Sequence, residues 1–300
     1  MQQKFNPQNE TILVSVNGKL MPRNEARISV FDSAVQGGDA VWEGLRVYNG
    51  RIFCLEEHLN RLQESAHALM FQEVPSKQEI KQIIIETLQA NGMRDGAHIR
   101  LTLTRGEKIT SGMDPRLNQK GCTLIVLAEW KKPVYGNESI SLITASVRRN
   151  SPLNIDSKIH HNNLINNILA KIEANIAGAD DALMLDNYGF LAETNACNIF
   201  MVKNETLITP HADACLPGIT RGKVLAIADR LQIRAKEKNI SLTELYNADT
   251  VFTSGTMGEL TRVKQIDGRM IVDKTHDKVF EKIAEAFRLL TETEGELLPF

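Results

Sequence analysis

The segment KKPVYGNES, from Lys131 to Ser139, lies between two apolar, strand-like runs and decides how the chain is divided. It is polar and contains a proline and a glycine, which is typical of a linker between domains. We therefore predict an N-terminal domain of residues 1–133, a linker at 134–139 and a C-terminal domain of residues 140–300. A chain of 300 residues is long enough for two such domains.

The sequence before this segment predicts short strands and two helices. Asn-Gly pairs at 17–18 and 49–50 lie between alternating apolar residues, which indicates two β-hairpins. Apolar residues recur at helical spacing from Leu55 to Phe71. A second helix is predicted at 76–90, where a Ser-x-x-Glu capping box begins the run. Two strands, HIRLTLTR and CTLIVLAEW, complete this half.

The sequence after this segment mixes strands and helices without a repeated unit. The predicted elements are the strand SISLITASV, a helix from about His161 to Ala177, strands in DALMLDNYGFLAE and NIFMVKNETLIT, a helix after Gly218, the strand DTVFTSGT, and a helix from about Asp277 to Leu290. This irregular alternation predicts an α+β fold rather than a doubly wound parallel sheet.

The composition is that of an ordinary globular protein, with 42% hydrophobic and 24% charged residues and a formal net charge of −2. It lacks the basic excess typical of proteins that bind nucleic acid or membrane surfaces, so we expect small-molecule partners. The four cysteines are widely spaced, which predicts reduced thiols and a cytoplasmic protein. No signal peptide or membrane span is evident. The adjacent His160 and His161 cannot share one helix face as metal ligands, so no metal site is predicted.

Several polar residues indicate little singly, but together they match the functional groups of one ligand. The helix start at 219–220, the Ser, Gly and Thr turn at 253–259 and Arg61 suit a phosphate group. Glu193 at a strand end suits an aromatic nitrogen, and Lys158 after a polar turn suits an aldehyde. Pyridoxal 5′-phosphate has all three groups, and it is the predicted cofactor.

Six segments together resemble one family. VWEGLRVYNG, LEEHLNRLQESA, RRNSPLNIDSK, GFLAETNACNIF, LPGITRGKV and TSGTMGELTRV occur in the order and at about the spacings of the class IV pyridoxal-phosphate aminotransferases. That family includes branched-chain aminotransferases, D-amino acid aminotransferases and aminodeoxychorismate lyases. The resemblance implies a small N-terminal α+β domain, a larger C-terminal pseudo-barrel domain and a homodimer.

The resemblance also implies roles for single residues. Lys158 is similar to the Schiff-base lysine, which also serves as the base. The implied cofactor contacts are Arg61, Lys158, Glu193, Ile219, Thr220 and Thr256. The implied substrate contacts are Trp42, Arg46, Arg100, Gly255 and Met257, with Arg100 placed where a glutamate side-chain carboxylate is bound.

The sequence combines features of different subfamilies, which give conflicting indications of the substrate class. D-amino acid aminotransferases carry an Arg-x-His pair where residues 110–112 are TSG, which weighs against D-substrates. Branched-chain aminotransferases carry a tyrosine at the position of Asn163, which leaves the subfamily open. We predict transfer from an apolar, branched-chain L-amino acid to 2-oxoglutarate. The alternatives are a D-amino acid or amine transaminase, a 4-amino-4-deoxychorismate lyase, and an inactive homologue that acts as a binding protein.

Overall fold

The computed structural model describes residues 4–135, 138–271 and 278–300. The chain forms two compact units. The first, here called the seven-stranded unit, contains residues 4–132, 159–163 and 291–300. The second, the nine-stranded unit, contains the described residues of 133–158 and 164–290. Residues 136 and 137 of the predicted linker lie outside the described residues, and the predicted domain boundaries stay a prediction.

The strands are β1 (Leu13–Val16), β2 (Lys19–Pro22), β3 (Ala40–Tyr48), β4 (Arg51–Ile52), β5 (Ala97–Thr104), β6 (Thr123–Trp130), β7 (Ile140–Thr144), β8 (Asp181–Leu185), β9 (Leu191–Thr194), β10 (Asn198–Lys203), β11 (Thr206–Thr209), β12 (Ala235–Glu237), β13 (Thr250–Gly255), β14 (Glu259–Ile266), β15 (Arg269–Met270) and β16 (Glu296–Leu297). The helices are α1 (Ser33–Gly37), α2 (Leu55–Ala68), α3 (Lys77–Ala90), α4 (Ile165–Ile176), α5 (Ile219–Arg230), α6 (Leu242–Tyr246) and α7 (Lys278–Thr293), with 3₁₀ turns at Pro7–Thr11 and Pro115–Leu117.

The seven-stranded unit is an antiparallel sheet in the order β16-β4-β3-β5-β6-β1-β2. Both predicted hairpins are confirmed, because Asn17-Gly18 and Asn49-Gly50 adopt the left-handed conformation that a two-residue hairpin turn requires. Helices α2 and α3 pack on one face of this sheet and enclose an apolar core. Side chains that point to the other face are therefore available for other tasks.

Both predicted helices of this unit are confirmed. Leu59, Leu62 and Ala66 form the buried stripe of α2. Helix α3 begins with the predicted capping box, in which the side chains of Ser76 and Glu79 each accept from the other residue's backbone N–H. The apolar spacing in α2 and the capping box in α3 are therefore local sequence signals from which both helices could be predicted.

The nine-stranded unit is a mixed sheet in the order β12-β11-β10-β13-β14-β7-β8-β9, with β15 paired to β14. The pairs β7–β8, β7–β14 and β11–β12 are parallel, and the others are antiparallel. The edge strand β9 contacts β10, which lies third from the other edge, and a tight turn joins them in which the backbone N–H of Thr194 donates to the carbonyl of Cys197 at 2.8 Å. The sheet is therefore curled, as expected for a pseudo-barrel.

Three details of this unit differ from the sequence prediction. The helix expected from His161 begins at Ile165, because residues 159–163 belong to the seven-stranded unit and His161 pairs with Val41 in a short β-bridge. DALMLDNYGFLAE and NIFMVKNETLIT each form two strands, since Asp186 accepts backbone N–H groups and closes a turn in the first, and Asn204 and Glu205 adopt the left-handed conformation at a turn in the second. The final helix continues to Thr293, and its predicted first residue, Asp277, lies outside the described residues.

Helix α4 leaves a stripe of large apolar side chains exposed: Ile165, Ile168, Leu169, Ile172 and Ile176. The longer polar side chains of the helix bind within their own unit instead. Lys171 contacts Asp181, and Glu173 accepts from Ser146. The exposed face of α4 is therefore uncharged, which is unusual for a helix that faces only water. Among the described residues, no helix is long and apolar enough to cross a membrane.

Candidate active site

Lys158 ends an exposed loop of the nine-stranded unit. The loop is tied by the Ser157 hydroxyl, which donates to the carbonyl of Asn150 at 2.8 Å. The backbone N–H of Lys158 donates to Asp156 at 2.9 Å, while its amine lies 4.0 Å from the same carboxylate. The Lys158 side chain is 48% exposed. The backbone is held while the amine stays accessible, as a lysine that forms a covalent bond to a ligand requires.

Glu193 is held from two sides on β9. Arg149 donates from Nε to one carboxylate oxygen at 2.6 Å, and Asn198 donates from Nδ2 to the other at 3.1 Å. The side chains of Glu193 and Arg149 are only 7% and 6% exposed. Nη1 of Arg149 is buried without a hydrogen-bond partner among the described residues. This is an oriented, charged carboxylate in a dry setting, which suits an aromatic N–H.

The N-terminus of α5 is built for an anion. Gly218 is the N-cap and supplies no side-chain hydrogen bond, and the first turn contains no acidic residue. The N–H groups of Ile219 and Thr220 belong to this first turn, where an α-helix has no internal acceptors and a partial positive charge. A Cβ atom at Gly218 would overlap with Oδ1 of Asn198, so the position requires glycine. The start of α5 fits the phosphate of the predicted cofactor.

The turn between β13 and β14 carries the remaining predicted residues of this unit. Thr256 and Met257 form the turn, and Gly255 ends β13 with Cys197 packed against it. Ser254 pairs with Asn198 across β10 and β13, and its buried hydroxyl has no hydrogen-bond partner in the described parts of the chain. The turn therefore follows a strand that adjoins the start of β10.

The thiol of Cys215 shows that these charges share one neighbourhood. Burial and the charge of Glu193 raise the pKa of this thiol, the positive charges of Arg221, Arg149 and Lys158 lower it, and the net pKa is about 12. Lys158 and Glu193 thus act on the same buried atom. Lys158, Glu193, Arg149 and Arg221 therefore all lie within electrostatic range of Cys215.

Three predicted substrate residues lie on one face of the seven-stranded sheet, opposite the helices. Trp42 and Arg46 point to the same side of β3. Arg100 on β5 stacks its guanidinium 3.4 Å from the Trp42 ring centroid. Arg100 also donates to Asn162 at 2.6 Å. Arg46 is 3% exposed, and its Nε and Nη1 are buried without partners among the residues that the structure describes. A buried guanidinium with unused donors is suited to bind a carboxylate.

His98 lies directly across the strand pair from Arg46 and was not predicted as a site residue. Burial, followed by the positive charges of Lys131, Arg46 and Arg100, lowers the pKa of His98 to about 3. It is therefore neutral at physiological pH, and its Nε2 is buried without a partner in the described ranges. The face carries two arginines beside a neutral imidazole.

This burial predicts a pH dependence of stability. Between an ordinary value near 6.5 and the folded value of about 3, the unfolded chain protonates His98 and the folded chain does not. The free energy of unfolding should therefore fall with falling pH, by up to about 1.4 kcal/mol per pH unit for this proton. Urea unfolding of His98→Gln between about pH 7 and about pH 5 should show a shallower fall than wild type. Replacing the exposed His67 by glutamine is the control, and equal slopes for wild type and His98→Gln would refute the assignment.

Arg61 is in a buried cluster around Glu43 rather than on a solvated helix face. It donates to both carboxylate oxygens of Glu43, at 2.8 and 2.6 Å, while His58 and His160 contact the same carboxylate at 2.6 and 3.1 Å. Burial opposes ionisation, but the bonds from His160, Arg61 and His58 outweigh it and hold the pKa of Glu43 well below its usual range. The role of Arg61 in phosphate binding stays a prediction.

Four residues of these clusters were missed from the sequence: Glu43, His98, Arg149 and Asn198. Arg149 and Asn198 lie within the recognised segments RRNSPLNIDSK and GFLAETNACNIF, so their position was visible while their contacts were not. Glu43 likewise lies in the recognised segment VWEGLRVYNG, and nothing in the neighbouring sequence indicates its cluster. Within the described ranges, no group of three or more His, Cys, Asp or Glu could hold a metal ion.

The family model for class IV amino-transferases matches residues 40–266, and the chain belongs to this family. Membership confirms the predicted family and, together with the solved structure described below, the predicted fold. The roles assigned to single residues are not tested by it.

Two individual relatives show how similar this chain is to other members of the family. The chain is 57% identical, over 98% of its length, to branched-chain-amino-acid aminotransferase-like protein 2 of Arabidopsis thaliana, and it spans about half of that protein, 53%. It is 34% identical to the D-alanine aminotransferase of Bacillus licheniformis over 86% of this chain and 89% of that one. Both kinds of relative thus cover nearly the whole of this chain.

A solved structure shows the same fold. The branched-chain aminotransferase of the thermophilic archaeon Thermoproteus uzoniensis, determined with norvaline, has a TM-score of 0.86 to this chain at 30% identity. The similarity covers 95% of this chain and 96% of that one. The two units described above therefore occur together in a protein of this family.

Proposed function

We propose that this protein is a transaminase that moves the amino group of an apolar, branched-chain L-amino acid to 2-oxoglutarate. The observation that carries the proposal is the carboxylate of Glu193, bound by Arg149 and Asn198 beside the uncapped start of α5. A carboxylate held in this way, with an anion-binding helix end and an accessible lysine, matches the three functional groups of pyridoxal phosphate.

Each group has a defined task in the reaction. When bound, pyridoxal phosphate supplies an aldehyde that receives the amino group and a ring that accepts electrons. Glu193 would hold a proton at the ring nitrogen, and the N–H groups of Ile219 and Thr220 would bind the phosphate, with Thr256 as a further donor. The Lys158 amine would hold the cofactor at rest and, once released from it, would accept the proton from Cα of the amino acid onto its own nitrogen.

Substrate recognition is assigned to the open face of the seven-stranded sheet. Arg46 has two buried donors without partners among the described residues, and Arg100 presents a guanidinium stacked on Trp42. Both suit carboxylates of an amino acid or of 2-oxoglutarate. The Trp42 ring suits an apolar side chain. Gly255 and Met257 complete the proposed substrate contacts.

An amino-donor panel tests the proposal. Purified protein with pyridoxal phosphate is incubated separately with L- and D-forms of valine, leucine, isoleucine and alanine, each with 2-oxoglutarate. We expect L-glutamate to form from the branched-chain L-amino acids at rates at least about tenfold above those from D-forms, since one well-bound group discriminates by that much. Product formation from D-forms alone would contradict the proposal.

The D-specific alternative keeps support from the D-alanine aminotransferase relative, which is 34% identical. The same assay separates the remaining alternatives. Pyruvate release from aminodeoxychorismate without an amino acceptor would indicate a lyase. A protein that binds the cofactor and acts on none of these donors would indicate an inactive homologue.

We also propose a homodimer whose contact includes α4. The stripe of Ile165, Ile168, Leu169, Ile172 and Ile176 is exposed and uncharged, so a second copy would meet no like charge there. Light scattering of the purified protein should give about twice the 33.5 kDa of one chain. A mass of one chain at all concentrations would contradict it. Location in the cytoplasm stays a prediction.

A further inference from the structure

The side chain of Asn198 connects two parts of the candidate site that the sequence presents separately. Its Nδ2 donates to Glu193 at 3.1 Å and to the carbonyl of Leu216 at 2.8 Å. Leu216 lies two residues before Gly218, the N-cap of α5, and Oδ1 of Asn198 lies against Gly218. Asn198 is 6% exposed.

The orientation of this amide follows from its partners. A carboxylate oxygen and a peptide carbonyl only accept hydrogen bonds, so the amide must turn its NH₂ group toward both. An NH₂ group has two hydrogens, and each has one acceptor here. Asn198 thus reaches its full donor capacity in bridging β9 to the segment that begins α5.

We propose that Asn198 is a positioning residue that sets the distance between Glu193 and the start of α5. The inference rests on the proposed function. The ring nitrogen and the phosphate of pyridoxal phosphate are joined through the ring and one short methylene ester link, so the two protein groups that bind them must lie within a narrow range of separations. A protein that holds both in place before binding gains affinity, because the second contact forms without further ordering.

Arg149 does not duplicate this task. Its Nε binds the other oxygen of Glu193 and keeps the carboxylate charged and oriented, but this bond does not extend to the segment before α5. Loss of Asn198 should therefore leave an ionised Glu193 and an intact α5 that are no longer coupled.

The test compares one whole ligand with its two halves. Dissociation constants are measured on the full chain, after removal of bound cofactor, for pyridoxal phosphate, pyridoxal and inorganic phosphate. For Asn198→Ala we expect binding of pyridoxal phosphate to weaken roughly ten- to a hundredfold, the value of hydrogen bonds to a charged group. Binding of each half should change by less than about threefold, since neither half uses the coupling.

The control and a second variant keep the test decisive. Asn91→Ala removes an asparagine that binds Leu13 in the other unit and should leave all three constants unchanged. In Asn198→Ser the single hydroxyl donor can bind Glu193 or Leu216 but not both. Binding of pyridoxal phosphate should therefore weaken again, while binding of pyridoxal and of inorganic phosphate should change little. Serine also covers the case in which the alanine variant does not fold.

The outcomes separate this inference from the proposed function. Equal losses for the whole ligand and both halves would show a merely structural role and overturn the inference, as would an unchanged constant for pyridoxal phosphate. Wild-type protein that does not bind pyridoxal phosphate would instead overturn the proposed function. A loss confined to the whole ligand supports the inference.

Gly218 provides an independent readout. Its φ of −62° is open to any residue, so the damage from Gly218→Ala should come from overlap with Asn198 alone. We expect Gly218→Ala to lower cofactor affinity and unfolding temperature in wild type, and to have a smaller effect in the Asn198→Ala background, where space is available. Strictly additive effects of the two substitutions would contradict the contact on which the inference depends.

Discussion

Replacing Lys158 by alanine should reduce transamination by at least roughly a hundredfold to ten thousandfold, because positioned proton transfer alone contributes that much. The covalent hold on the cofactor should be lost as well, which reduction with borohydride followed by mass measurement would detect. Thermal unfolding should hardly change, since the side chain is 48% exposed and its removal leaves no cavity.

Two further variants define the role of this amine. Lys19→Ala removes another exposed lysine, in the seven-stranded unit, and should leave activity unchanged. Lys158→Arg keeps the positive charge but cannot supply a neutral amine, so it should be as inactive as alanine. Activity retained by either substitution at Lys158 would refute its assignment as the base.

Replacing Glu193 by alanine should damage both stability and activity. Arg149 would be left buried without its counter-ion, which costs about 3–5 kcal/mol of the free energy of unfolding. Activity should fall by at least about a hundredfold, as when one preorganised polar group is removed from an active site. Urea unfolding and the donor assay measure the two effects.

The two effects of Glu193→Ala can be separated by changing its partner. Arg149→Met combined with Glu193→Ala removes the stranded charge and should recover part of the stability but none of the activity. Glu64→Ala, an exposed carboxylate on α2, is the control for both measurements. Recovered activity in the double variant would show that Glu193 acts only as a counter-ion.

Local signals predicted the helices and hairpins well. The capping box at Ser76 and the Asn-Gly turns act through neighbouring residues, so the sequence specifies them without knowledge of the fold. The start of α4 was predicted too early, because the run that begins at His161 resembles a helix in sequence. In the structure His161 pairs instead with Val41 of β3 in a β-bridge. A propensity cannot anticipate a partner 120 residues away in the chain.

The candidate site also contains some residues that could be predicted from the sequence and others that could not. Lys158, Glu193 and the start of α5 could be proposed from residue type and position in recognised segments. Asn198 could not, because its value lies in bridging Glu193 to Leu216, residues that lie on opposite sides of it in sequence. Arg61 was predicted as a phosphate contact, and its pairing with Glu43 could not be predicted because it depends on how α2 packs on β3.

A homodimer through the exposed apolar face of α4, as proposed above, would make stability depend on protein concentration. If two chains bury it together, association and folding are linked, and diluting the protein shifts both equilibria toward separated chains with five wetted Ile and Leu side chains. The unfolding temperature should then rise with protein concentration. Aggregation should be worst at intermediate dilution, where separated chains are numerous enough to meet the wrong partner.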